Sequence, residues 1–563
     1  MASGGRLARI AEVGRRTKAL GRWLAACALA LAVAAPASFA QGEGADAPLP
    51  SFAELEAAGA IIGEIRIVTG DVFDTDDPRE DNALFRAANR LHIETRPWVI
   101  RRSLLFRSGE PVRVHAIEET ERLLRGARYL YEVHIRPLAY RDGVVDLEVV
   151  TRDTWTLYPT ITLSRAGGVT RTEFGVSELN LLGTGSELSI SSFRDVDRSG
   201  KALDFANDHA LGPWTSLRLS VAENSDGSKL SLALVRPFFE LDARRSAGVY
   251  AIDNDRVDSV YNAGVRVGEY RHRSRVLDVF GGWSPGLVDG WVRRYTLGLR
   301  LRDHEFAPEP GRPAPRHLLP DETLIGPYLR FDLIEDRFER TENRQQIGRP
   351  EYFALGVNAS VQIGWAAQRL GSTDDTLLYR AALARGFELD AQQRLLAAAR
   401  IDGQVRGGRI RRQQIGAEFE YFLPHHRRRL FYASLAADVL TDPEPADFLY
   451  LGGEEGLRGY PLRYQAGTRR VLLTLEERLY TGAFPWRLFR IGAAAFVDVG
   501  RAWGGTNPNL INPGWLVNVG LGLRLFSVRT AFGNVAHLDV ALPLQPAGDV
   551  EGVQVLLRAR RTF

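Results

Sequence analysis

The sequence predicts a mainly β chain: a transmembrane antiparallel β-barrel preceded by one small α/β domain. Three observations predict it. From about residue 155 onward, apolar residues alternate with small or polar ones in run after run of about 10–14 residues, the length of a tilted membrane strand and longer than the ~5–6 residues of a soluble one. Beyond residue 41 no apolar stretch approaches a spanning helix, and only helices and closed barrels satisfy the backbone within lipid. Aromatics such as Trp291, Trp365 and the terminal Phe563 stand at strand ends, where an interfacial girdle would place them.

The first element is a targeting segment, residues 1–40. Arg6, Arg9, Arg15, Arg16, Lys18 and Arg22 form a basic region, and Trp23 to Ala35 an apolar core too short to anchor. Ser38-Phe39-Ala40 then sets small residues three and one before a cut ahead of Gln41. Arg15-Arg16 hints at a twin-arginine signal, but the residues after it suit general secretion better. Leu24-Ala-Ala-Cys27 resembles a lipoprotein box, although most of the apolar core follows that cysteine rather than preceding it. Cys27 is the chain's only cysteine, so cleavage leaves no disulfide, thiol nucleophile or thiolate metal site.

The formal net charge of +3 gives no reason to expect a nucleic-acid partner. Positive charge is almost all arginine, with Lys18, Lys201 and Lys229 the only lysines. Arg427-Arg428-Arg429 suits anionic lipid or internal carboxylates.

Residues 41–58 read as a Gly/Ala/Pro-rich linker, and 59–154 as an α/β domain. Ile62 to Val68 alternates as a strand. Leu84, Ala88 and Leu91 share a helical face, and Trp98–Leu105 and Val114–Leu124 also suit helices. Tyr129–Ile135 and Val144–Val150 read as strands joined through Asp142-Gly143, a hairpin signal, and both are candidate edge strands.

The barrel occupies 155–563. Phe353, Leu355, Val357, Ala359, Val361, Ile363 and Trp365 alternate with smaller or polar partners over thirteen positions. Trp291, Tyr295, Leu297, Leu299 and Leu301 oppose Arg294, Thr296, Gly298, Arg300 and Arg302. At the C-terminus Val553, Val555, Leu557, Ala559 and Phe563 oppose Gln554, Arg558, Arg560 and Thr562. Counting such runs gives about twenty strands, and a single bacterial chain closes with an even number.

Three stretches stand out from this alternation. Phe174-Gly175-Val-Ser-Glu-Leu-Asn180-Leu-Leu-Gly183-Thr-Gly185 is a glycine-marked turn. Gly456-Leu457-Arg458-Gly459-Tyr460 is too glycine-rich for a wall strand and carries one fenced arginine. Leu475-Glu476-Glu477-Arg478 and Phe496-Val-Asp498-Val-Gly500 place carboxylates, an arginine, an aromatic and a glycine on single strand faces. In this order they resemble the superfamily that joins polypeptide-transport-associated (POTRA) domains to an outer-membrane barrel of the BamA/TamA type, with 59–154 as a single POTRA domain.

The resemblance implies sixteen strands, against 16–20 by pattern, with five strands after the Arg458 loop. It implies that Arg458, Gly459 and Tyr460 lock into the lumen against Glu476, Arg478, Phe496, Asp498 and Gly500. Asn180, Gly183 and Gly185 would form a turn between early strands, and Phe563 the signal read by the assembly machinery. Arginine suits the lock because its planar fork takes a carboxylate in two places and stacks on a ring. Replacing Arg458 should therefore matter far more than replacing nearby Arg463.

The activity implied is insertion or export of polypeptides at the outer membrane of a Gram-negative cell, with the N-terminal domain in the periplasm. The bilayer, unfolded polypeptides and a periplasmic protein would be its partners. Two alternatives stay open: a passive anion-preferring channel lined by Arg294, Arg300 and Arg302, and a lipid-handling barrel of the same superfamily. No enzyme activity, cofactor or metal is expected. His425-His426 lies between strands where side chains diverge, and His92, His115 and His134 lack ligand spacing. Gly183-Thr-Gly185 lacks the strand–helix setting of a phosphate loop.

Overall fold

The computed structural model describes residues 49–166, 169–262, 265–315, 318–348, 350–444, 447–505, 514–527, 535–545, 550 and 552–560. The proposed targeting segment and Phe563 lie outside them.

The N-terminal domain begins earlier than its composition suggests. Ser51 caps helix α1 (Phe52–Ala57) with Glu54 reaching back to its amide, a reciprocal capping box, and Leu55 is fully buried in the domain core. Then come β1 (Ile61–Gly70), α2 (Ala83–Leu91), α3 (Pro97–Ser103), α4 (Val114–Gly126), β2 (Leu130–Arg141) and β3 (Val144–Asp153). Asp142 and Gly143 both take positive φ in the β2–β3 turn, as a two-residue hairpin requires.

The sheet order is β1-β3-β2, with β1 parallel and β2 antiparallel to β3. Val144–Val150 is thus central rather than an edge, because the parallel pairing with β1 uses its second side. On α2 it is Phe85 that is buried, stacked on Phe73 at 3.9 Å, while Leu84 and Leu91 face outward. One buried aromatic stack, with Asn82 capping the helix, fixes the rotation that three aliphatic positions appeared to set.

From Leu157 the chain forms one closed antiparallel barrel. Twenty-one paired segments run around it. One of them, Leu287–Val288, is a two-residue hairpin end whose neighbours Val265–Trp283 and Trp291–Pro308 pair directly, leaving twenty wall strands among the described residues. That is the upper end of the pattern count and four more than the resemblance implies. The extra strands precede the Arg458 loop, and five follow it.

Outward positions along the wall are apolar and exposed. Leu521 is 68% and Leu297 61% accessible, and Tyr295, Leu299, Val361, Ile363, Trp365, Val555 and Leu557 are exposed likewise. Such a continuous apolar surface belongs against acyl chains, not water. Inward positions are polar or small apart from a buried cluster of larger apolar side chains, and no helix among the described residues is long and apolar enough to cross a membrane.

The thirteen-position run at 353–365 divides. Pro350–Ala354 pairs with Phe338–Glu342 as a separate hairpin, and only Asn358–Ala366 joins the wall. Phe353 and Leu355 are consequently buried while Ile363 and Trp365 face out. The hairpin lies within the barrel. Its Phe353 and the adjoining Ile347 pack with the inward-facing Phe422, Leu430, Tyr480 and Phe526.

Candidate functional site

The loop 442–468 joins Arg429–Thr441 to Arg469–Tyr480 at the barrel end remote from the α/β domain. Glycine lets it double back. Gly452, Gly453 and Gly456 take positive φ, as does the buried Leu457, and the amides of Gly452 and Gly453 donate to the carbonyls of Gly456 and Tyr460. The resulting turn aims Arg458 into the lumen.

Arg458 donates from Nε and Nη2 to the two oxygens of Asp498, at 2.8 and 2.7 Å, and from Nη1 to Glu476 at 2.8 Å. Its guanidinium carbon lies 3.4 Å from the Phe496 ring centroid. Asp498 also accepts from Thr474 Oγ1 and Asn518 Nδ2, each at 2.9 Å. Arg458, Glu476, Phe496 and Asp498 are all buried. An ion pair out of water survives only with its hydrogen bonds well satisfied, and here both carboxylates and the guanidinium are held by several partners.

The neighbours make room for this contact. A side chain at Gly459 would meet Asn518 Cβ at 2.6 Å, and one at Gly520 would meet Phe496 at 2.3 Å. Gly500 opens space for Leu451 of the loop, whose Cδ1 would lie 3.2 Å from an added Cβ. Tyr460 is fully buried, donates to the Val517 carbonyl at 3.1 Å and stacks on Tyr464.

Arg478 extends the network: its Nε donates to Glu476 at 3.0 Å, its guanidinium lies 3.8 Å from the Tyr432 ring, and its Nη1 donates to the Arg344 carbonyl at 2.9 Å. Arg344 belongs to the inner hairpin, where it pairs with Glu339, which also holds Arg394. Side-chain contacts therefore link the loop from one barrel end to the hairpin from the other.

Sequence reasoning missed Asp539, 3.7 Å from Arg458 and paired with Arg524 and Arg558, and it missed Asn518. The signal was there: both fall on inward positions of apolar-alternating strands, Asp539 opposite Gly522 and Asn518 opposite Asp498. Arg463 is not the inert neighbour the sequence suggests. It lies over the Tyr261 ring at 4.6 Å and 3.4 Å from Asp197, on other walls of the barrel, so the loop is braced across the lumen.

Asn180, Gly183 and Gly185 serve a second site, the docking of the α/β domain. Asn180 Nδ2 donates to Thr95 Oγ1 at 2.8 Å while its Oδ1 accepts the Gly185 amide at 2.7 Å. The Arg96 amide donates to the Gly183 carbonyl, and a Cβ at Gly183 would lie 2.3 Å from the Glu94 carbonyl. Thr95 and His92 in turn contact the buried Asp153. Around the same rim Glu119 accepts the Leu241 amide, His115 pairs with Glu119 and Asp336, and Glu80 pairs with Arg487.

Of the lumen arginines that suggested an anion path, Arg294 donates to the Glu240 carbonyl and Arg300 to Asp278. His425 pairs with Glu477, and no cluster of three potential metal ligands occurs among the described residues.

No family model and no curated protein sequence matches the chain. Solved structures similar to it include BamA from Haemophilus ducreyi lacking POTRA domains 1–3, at 14% identity and TM-score 0.39, covering 89% of this chain and 85% of that one. CdiB from Acinetobacter baumannii (13%, TM-score 0.43) and CdiB from Escherichia coli (14%, TM-score 0.46) each match over 89% of this chain, and over 73% and 76% of their own. At these identities and scores, function has to be argued from the chain's own geometry.

Proposed function

We propose that the chain is a non-enzymatic outer-membrane barrel of the POTRA-plus-barrel superfamily that inserts or exports polypeptides, its α/β domain acting in the periplasm as a single POTRA module. The observation that carries the reading is the seam. Among the described residues the first and last wall strands, Leu157–Ala166 and Gln554–Arg560, are joined through one residue couple, Leu557 with Arg165. Every other pair of adjacent wall strands is paired along seven residues or more.

A seam so lightly paired over its described residues presents backbone donors and acceptors that lipid cannot satisfy. An incoming strand can satisfy them by adding to the sheet edge, with its own backbone groups paired before lipid surrounds it. The free edges of the α/β sheet, on β1 and β2, can hold an extended client by the same augmentation. The Arg458 lock keeps the adjacent wall rigid while the seam opens.

The test is a disulfide across that couple, Arg165→Cys with Leu557→Cys, in a chain whose only natural cysteine is Cys27. In cells depleted of the native protein, the oxidised variant should fail to restore the outer-membrane protein inventory, and reduction should restore it. Full activity with the seam covalently closed would refute lateral insertion.

A further inference from the structure

We infer that the barrel carries a binding site for an anionic glycerophospholipid at its junction with the α/β domain. Two adjoining depressions make the site. The first is a groove of about 520 Å³ in the outer wall, floored by Ala247 and Gly281 and flanked by Trp283, Tyr295 and Leu297. Gly281 has nothing within 4 Å of where a side chain would stand, so the groove is a true notch in the lipid-facing surface. Trp283 stacks on Tyr295 at 5.9 Å, and Tyr295 meets Phe331 at 5.2 Å, a local aromatic belt at the domain-side end of the wall.

Arg236 and Arg245 stand at the mouth of this groove. Arg236 also lines the second depression, a cleft of about 650 Å³ between the barrel rim and the α/β domain. Its lining includes five arginines against two glutamates, with Trp98, Trp214 and Phe239 between them. Arg102 lies over Trp98 at 4.8 Å and Arg236 over Phe239 at 5.5 Å. Among the described residues Arg102, Arg107, Arg236 and Arg245 have no carboxylate within ion-pair distance, whereas Arg113 has Asp242 at 4.0 Å. Burial, with Glu119 and Asp242 close by, pushes the Glu240 carboxyl up to about 7, which removes part of the cleft's negative charge near neutrality.

An amphiphile matches this layout: a phosphate among unpaired guanidiniums, which bind it bidentately, and an acyl chain in the notch on the membrane side. A water-soluble anion would make no use of the groove. The net positive lining favours a headgroup of net negative charge, such as phosphatidylglycerol, over a zwitterionic one. The inference needs the barrel to sit in a bilayer and is independent of which polypeptides it handles.

The test uses the full chain in detergent, offered equal amounts of dioleoyl-phosphatidylglycerol and dioleoyl-phosphatidylcholine and read by native mass spectrometry. The wild-type protein should retain phosphatidylglycerol at least fivefold better, and Arg236→Glu with Arg245→Glu should abolish that preference. As a readout needing no variant, phosphatidylglycerol with brominated chains should quench tryptophan fluorescence more strongly than the brominated phosphatidylcholine. Equal retention or equal quenching of the two lipids, or a preference unchanged in the double variant, overturns the site. Displacement by inorganic phosphate at equal concentration would make it a free-anion site, and displacement by a hexaglutamate peptide an acidic-peptide site. Either result overturns the lipid assignment.

Discussion

Arg458 commits all three of its donor nitrogens to two carboxylates inside the lumen. Its glycine neighbours marked a turn, and the parity of Glu476, Phe496 and Asp498 put three suitable partners on inward strand faces. The distances between them were beyond the sequence, as was the part played by Asp539 and Asn518, because pairing between strands is long-range information. Removing one member of a buried pair strands the other charge and costs about 3–5 kcal/mol. Arg458→Ala should therefore lower the urea midpoint of the barrel and expose the 442–468 loop to protease. Arg458→Lys should recover only part of the effect, since a point charge cannot hold both carboxylates and stack on Phe496. Arg469→Ala, at an exposed position with no ion-pair partner among the described residues, should change neither readout. Equal, mild effects at 458 and 469 would reduce the lock to an ordinary loop contact.

At the scale of elements, alternation located the wall strands well and the inner hairpin badly. Pro350–Ala354 and Asn358–Ala366 share one apolar parity, yet the first faces other side chains inside the lumen and the second faces lipid; period two cannot tell these surroundings apart. The helix α1 was legible in the Ser51-x-x-Glu54 box, but composition concealed it. The docking of the α/β domain could not be foreseen, because its contacts are made by isolated residues on separate turns. One of them titrates. His115 has its pKa raised, chiefly by its close pairing with Glu119 at 3.1 Å and with further help from the charge of Asp336, against opposition from burial and Arg122. A raised histidine pKa stabilises docking fully below the unfolded value of about 6.5 and ceases to do so as pH rises through the folded one. Glu119, whose own pKa is lowered despite its burial, stays ionised across that window. Spin labels at Glu118→Cys and Glu342→Cys should show a longer-distance population growing between pH 6 and 8.5. In His115→Ala the distribution should stay constant over that range. The same pH response in both proteins would remove His115 from the docking interface.

At the scale of the whole molecule the decisive feature is a lumen entered from both ends. The 442–468 loop reaches in from one side and is braced on opposite walls by Arg458 and Arg463, while the Phe338–Ala354 hairpin packs from the other, and the two meet through Arg478 and the Arg344 carbonyl. A diffusion channel gains nothing from such an arrangement. Each ordered segment costs conformational entropy, and buried ion pairs add desolvation, costs that an open pore would avoid. A barrel whose transport runs along its seam benefits, because a filled lumen keeps the envelope sealed while the wall opens. In planar bilayers the intact protein should therefore give small, flickering currents. Replacing residues 338–354 with a short glycine-serine bridge should raise the mean conductance severalfold, and adding Arg458→Ala should raise it further, since each change frees one of two obstructions that contact each other. Large, steady, anion-selective currents from the intact chain, unchanged by either alteration, would return the lumen arginines to the role of a pore lining and leave the hairpin without a sealing function.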